Sequence, residues 1–257
     1  MERLRPGCQP KQQGFSLVEI MIALTLGMIL LAGVFSTFSA VVSSSAHILK
    51  VSQLNQQMRA TMGIITQELR RIGYWADALN QDPTTNPNPF GFTIGASSGG
   101  ADGCILYSYD SNANGVLDPT EQIGFRFRIL GAKQDVQWSK GQSTAVTDCN
   151  ANWGSELHVN LTNNKLIRVT QLSFKSPPAE CTNLSTVPRS NCNPCDSTYQ
   201  PWSVGDTLVK VPRIDITFSG ELMSDPSVTT TLTNTVRVRN PVIEIATTAG
   251  PPAGTGC

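Results

Sequence analysis

The stretch Asp110-Ser-Asn112-Ala-Asn114-Gly115-Val116-Leu117-Asp118-Pro-Thr-Glu121 fits the spacing of a calcium loop at every position. Ca²⁺ takes roughly six to eight oxygens, and this loop offers Asp110, Asn112, Asn114, the carbonyl of Val116, Asp118 and a bidentate Glu121, with Gly115 making the turn. Strand-like sequence flanks it on both sides, so a long Asn-Gly hairpin turn is the competing reading. A different chemistry attaches to Glu19, the one ionisable side chain between Phe15 and His47. A carboxylate inside an apolar helix costs about 2.5–3.5 kcal/mol at mid-bilayer and less near the interface, so it marks a functional position with a partner. An α-amino group made by cutting before Phe15 is such a partner.

Seven cysteines are present, and six remain if Cys8 is lost with a leader: Cys104, Cys149, Cys181, Cys192, Cys195 and Cys257. An even number in loop-rich sequence points to disulfides and an oxidising compartment, with the pairing left open. Cys192-Asn-Pro-Cys195 has the spacing of a redox or half-zinc motif. No second such pair exists, and His47 and His158 lie far off in sequence, so a structural disulfide is the better reading. With two histidines there is no Ser/His/Asp or Cys/His constellation, no nucleophile elbow and no phosphate-cradling glycine loop. Lys+Arg and Asp+Glu balance at 19 each, and no aromatic-basic patch appears, which argues against nucleic acid. The chain reads as structural, not as an enzyme.

The elements that must position these residues begin with the apolar run Ile20–Val42. As a helix it covers about 35 Å, enough for a hydrocarbon core of about 30 Å. Arg3, Arg5 and Lys11 precede it, which puts the N-terminus in the cytoplasm and the rest outside. A cleaved secretory signal would have a shorter apolar region and a small-residue site after it. Beyond the run, Ile48, Val51, Leu54, Met58, Met62, Ile65, Leu69 and Ile72 recur on one helical face, and no proline falls between Pro10 and Pro83. This predicts one continuous helix ending near 73–77, its apolar face packed on the protein's own sheet. Afterwards Ile123, Phe125, Phe127 and Ile129 alternate with polar residues, as do Ile214, Ile216 and Phe218, and then Val236 and Val238. Such alternation predicts antiparallel strands with one buried face. Pro241 marks 240–246 as an edge or terminal strand, and residues 176–205 read as a long irregular section.

Gly14-Phe15-Ser16-Leu17-Val18-Glu19 and the uncharged run behind it resemble the class III leader of type IV pilins and type II secretion pseudopilins. The resemblance implies a prepilin peptidase that cuts after Gly14 and methylates Phe15, with Glu19 serving assembly. Gln67-Glu68-Leu69-Arg70-Arg71-Ile72-Gly73-Tyr74 and Arg237-Val238-Arg239-Asn240 resemble the corresponding regions of PilW-type minor pilins. That likeness implies an α+β pilin fold, with a long N-terminal membrane-spanning helix packed on an antiparallel β-sheet domain. Its parts are a cleaved leader (1–14), a transmembrane and filament-core helix (15–46), an amphipathic continuation (47–80), a β-rich globular domain (81–246) and a flexible tail (247–257). It implies a minor pilin that primes pilus assembly, held first in the inner membrane and then at or near the pilus tip. The implied partners are the prepilin peptidase, other minor pilins, the major pilin, a tip adhesin, the inner-membrane assembly platform and membrane lipid. A J-type pseudopilin and, from another class, a signal-anchored periplasmic calcium-binding enzyme are the alternatives. Ca²⁺ is the one cofactor expected.

Overall fold

The computed structural model describes residues 14–97, 100–131, 133–139, 149 and 158–255, which fall into two compact units, 1–50 and 51–257. One helix, α1 (Leu17–Leu69), runs through both. In the first unit every described side chain of the helix up to Leu49 is exposed except at Gly27. In the second unit Leu54, Met58, Thr61, Met62, Ile65, Thr66 and Leu69 are buried, a single stripe at helical spacing. The predicted apolar face therefore starts later than its periodicity suggests: Ile48 is 63% exposed and belongs to the first unit.

The helix also stops earlier than predicted, at Leu69, and continues as hydrogen-bonded turns. Gly73, with φ +71°, takes the left-handed conformation that closes helices, and its N–H goes to Ser108 O at 3.1 Å. Ile72 stays buried, 2% exposed, although it lies past the helix. Asn240 secures the same end: its Nδ2 donates to Ile72 O at 2.8 Å, meeting a carbonyl that the finished helix leaves open.

Among the described residues twelve strands follow, all paired antiparallel. β1 (Phe92–Ser97), β2 (Gly100–Ser108), β3 (Gln122–Leu130), β4 (Lys133–Ser139) and β5 (His158–Asn160) form a meander in that order. β6 (Ile167–Lys175), β10 (Arg213–Leu222) and β11 (Asp225–Arg237) form a second sheet with β10 in the middle. β7 (Glu180–Asn183), β8 (Ser190–Asn191), β9 (Thr207–Val211) and β12 (Val242–Ile245) form a third, in the order β12-β9-β7-β8. β12 is an edge strand, in keeping with Pro241 just before it. The section 176–205 is less irregular than predicted, since β7 and β8 lie within it.

One core joins the helix stripe to the first two sheets. Leu54, Met58, Ile65 and Leu69 lie with Phe125, Phe174, Phe218, Ile214 and Ile216, each at most 1% exposed. Burying side chains of this size contributes about 1.5–3 kcal/mol apiece. β10 alternates without exception, whereas β3 does not. Ile129 is 39% exposed and Arg126 is buried, against the period-2 expectation. β3 lies in the interior of its sheet, and Arg126 survives there by donating to Gln137 Oε1 at 3.1 Å and Cys149 O at 3.1 Å.

Candidate functional site

The N-terminal site is built from Gly14, Phe15 and Glu19. Phe15 is 80% exposed, and Glu19 lies in the first turn of α1, where the positive end of the helix dipole favours an acidic side chain. Behind it runs a stretch of mean hydropathy 2.4, none of whose most apolar window is buried in the protein. Its two threonine hydroxyls bond within the helix: Thr25 donates to Ile22 O at 2.9 Å and Thr37 to Val34 O at 2.9 Å. A helix with its backbone bonded internally and its apolar side chains outward suits a bilayer. Residues 1–13, including Cys8 and the basic leader, lie outside the described part.

The acidic loop connects β2 to β3. Asp110 is 2% exposed and Glu121 is 0% exposed. Asp110 accepts from Asn114 N (3.1 Å), Gly115 N (3.0 Å) and, outside the loop, Ala76 N (3.0 Å). Glu121 accepts from Ser111 N (2.6 Å), Asn112 N (3.3 Å) and Asp118 N (3.1 Å). Asp118 Oδ2 takes the side-chain amides of Asn112 and Asn114, each at 2.9 Å. Pro119–Glu121 is a short 3₁₀ turn closed by a reciprocal box between Asp118 and Glu121. The loop thus wraps its backbone N–H groups around its first and last carboxylates. Gly115 (φ +77°) occupies the turn position, and Ala113 (φ 59°) is also left-handed. Val116 is exposed and Leu117 half-buried, outside the main core. Among the described residues no three His, Cys, Asp or Glu side chains converge as a preformed metal cluster.

Two contacts to this loop were not read from the sequence. Trp75 Nε1 donates to Gly115 O at 2.9 Å, and Asp110 N donates to Tyr74 O at 2.8 Å. Together with the bond from Ala76, they clamp the loop to the chain just past α1. An indole placed immediately after the predicted helix end was the available signal, but nothing in spacing tells which loop it meets.

The cysteines pair as Cys104–Cys149, with a sequence separation of 45, and Cys181–Cys192, with a separation of 11. Cys195 is also disulfide-bonded, and Cys257 lies outside the described residues. Cys192 and Cys195 are thus not bonded to each other, and the C-x-x-C spacing is not a redox pair. Residues 247–255 are held, contrary to the flexible tail expected of a Gly/Pro-rich end. Gly250 N donates to Trp202 O (2.8 Å), Trp202 Nε1 to Thr248 O (3.0 Å) and Gly254 N to Pro194 O (2.7 Å).

Residues 9–35 match the prokaryotic N-terminal methylation motif, a span that covers Gly14, Phe15 and Glu19. Residues 47–238 match the family described as prepilin peptidase-dependent protein B. The chain belongs to that family. Its members are pilin-like structural proteins and not enzymes, and the leader motif with the apolar helix marks membrane anchoring. One curated member, prepilin peptidase-dependent protein B of Escherichia coli (strain K12), is 26% identical over 123 residues, 46% of this chain and 59% of the relative. The chain thus spans somewhat less than two thirds of that relative's length. No solved structure matches.

Proposed function

We propose that this chain is a minor pilin that primes assembly of a type IV pilus and sits at or near its tip. The observation that carries the reading is the methylation motif at 9–35 joined to a helix whose apolar side chains up to Leu49 are exposed among the described residues. Such a helix is suited first to lipid and then to neighbouring subunits. A prepilin peptidase cuts between Gly14 and Phe15 on the cytoplasmic side, and the new amino group of Phe15 meets Glu19 of a neighbour. In a low-dielectric groove, leaving one of those charges unpaired costs about 3–5 kcal/mol. Other minor pilins, the major pilin, a tip adhesin and the inner-membrane assembly platform are its partners in this scheme.

Glu19→Ala is expected to be processed and stable yet to fail in priming. Intact mass of membrane-extracted protein reads the cleavage, and filament counts in a strain lacking the chromosomal copy read the priming. A chain that still carries residues 1–14, or normal filament numbers with Glu19→Ala, overturns the reading. Immunogold label along filament shafts overturns the tip position. Normal piliation with lost protein secretion in the deletion strain assigns the chain to the J-type pseudopilins instead.

We also read the acidic loop as a Ca²⁺ site, because Gly115 takes a left-handed turn at the sixth position and the first and twelfth carboxylates point into the loop. Asp110, Asn112, Asn114, the Val116 carbonyl, Asp118 and Glu121 would be its ligands. Outside the cell Ca²⁺ is about millimolar, so a site of about 10⁻⁴ M is mostly filled and adds about 1.4 kcal/mol. The expected outcome is a melting temperature a few degrees higher in Ca²⁺ than in chelator, with the gain lost in Asp110→Ala. Identical melts in the two conditions leave the loop a hairpin connection.

A further inference from the structure

An open hollow of about 730 Å³ lies beside the end of α1, lined among others by Arg70, Arg71, Tyr74, Tyr109, Asp110 and Arg239. The end of α1 with the turns that follow it, the residues just after β2 and those just after β11 build it, and Asn240 fastens the last of these to Ile72 O. Its charges divide into two groups. Arg71 is already satisfied, pairing with Glu68 at 3.3 Å and lying over the Tyr109 ring at 4.0 Å. Asp110 is committed to three backbone N–H donors. Arg70 and Arg239 are exposed and have no carboxylate partner among the described residues.

We propose that this hollow binds an acidic segment of another protein, with Arg70 and Arg239 each taking an Asp or Glu carboxylate and Tyr74 supplying the apolar contact. A guanidinium presents parallel N–H donors matched to a carboxylate, so two across one concavity select for closely spaced acids. Tyr74 lines the hollow and is 47% exposed, and Arg and Tyr are among the residues that dominate protein–protein contact energies. The volume is several side chains large, more than one phosphate or carboxylate ion needs. The proposal does not depend on the priming or tip reading, and either can fail alone.

The test uses the full chain in nonionic detergent and a fluorescein-labelled peptide carrying four consecutive glutamates, read by anisotropy. Saturable binding is expected, weakened by salt between about 50 and about 500 mM. The peptide with four glutamines in their place should not bind. The double variant Arg70→Gln/Arg239→Gln should bind at least about tenfold more weakly, whereas Lys175→Gln, an exposed cation on β6, should bind as the parent does. Equal affinity of the double variant, equal binding of the glutamine peptide, or no saturable binding of the glutamate peptide overturns the proposal. Complete displacement by inorganic phosphate makes the hollow a small-anion site and overturns it as well. Displacement by phosphatidylglycerol mixed into the detergent micelles, but not by phosphatidylcholine mixed in likewise, does the same in favour of a lipid surface.

Discussion

Glu121 has no exposed surface, yet three backbone N–H groups and the Ser111 hydroxyl point at its carboxylate. Truncating it orphans those donors inside the loop, at about 1–3 kcal/mol for each one that water cannot reach. Glu121→Ala in chelator is therefore expected to lose about 2–4 kcal/mol of stability, and Glu121→Gln, which retains one acceptor oxygen, less. Denaturant unfolding followed by near-UV circular dichroism checks this without reference to any cation. A loss seen only when Ca²⁺ is present would mean that the N–H ring contributes nothing by itself. The spacing of the loop was legible in the sequence because the oxygens and the turn glycine sit within one short segment. Its clamp was not legible: Trp75 and Ala76 reach the loop from 40 and 34 residues away, and no local pattern encodes that meeting.

At the scale of elements, the long helix and the strands with strict alternation were readable because each buries one face. β10 shows why: Ile214, Ile216, Phe218, Gly220 and Leu222 lie on the buried face and the residues alternating with them on the other. β3 was misread at Arg126 and Ile129 because its position in the interior of a five-stranded sheet, beside Cys149, is a property of the assembled domain. The helix end was misread by one turn because Gly73 N–H prefers Ser108 O, a partner contributed by β2. Gly220 lies where the helix packs closely on the sheet. A Cβ there would lie 3.0 Å from Met58 Sδ and 3.3 Å from Arg168 O. Gly220→Ala is expected to cost about 1–3 kcal/mol through overpacking, and less in a Met58→Ala background where the thioether is gone. A double-mutant cycle on thermal unfolding measures the coupling. Strictly additive losses would show that Arg168 O and the Ile167 side chain, each 3.3 Å away, and not Met58, set the limit.

At the scale of the whole molecule, the structure divides into units 1–50 and 51–257, so the amphipathic part of the helix belongs with the β-rich domain. The three sheets of the described residues were not legible in the sequence, because β6 pairs with β10 and β7 with β9 across connections that carry no local signal. The second and third sheets are joined by a charge. Glu180 on β7 accepts from Arg213 on β10 and from both Nε (3.0 Å) and a terminal nitrogen (2.8 Å) of Arg237 on β11. Hydrogen bonds from Arg213 first, then Arg237, hold the Glu180 carboxyl below its ordinary value. A depressed carboxyl pKa means that the unfolded chain takes up this proton first as the pH falls. The stabilisation is then complete above the ordinary carboxylate pKa of about 4.3 and is lost as the pH drops through the folded value. The group is 37% exposed, so the effect is screened and small. Glu180→Gln is accordingly expected to melt slightly below the parent at neutral pH, with the gap closing as the pH is lowered from about 5 to about 3. Added salt at neutral pH should narrow the gap in the same way, since it weakens an exposed pair. A gap that stays constant through the acid range would show that Glu180 joins the two sheets by shape and not by charge.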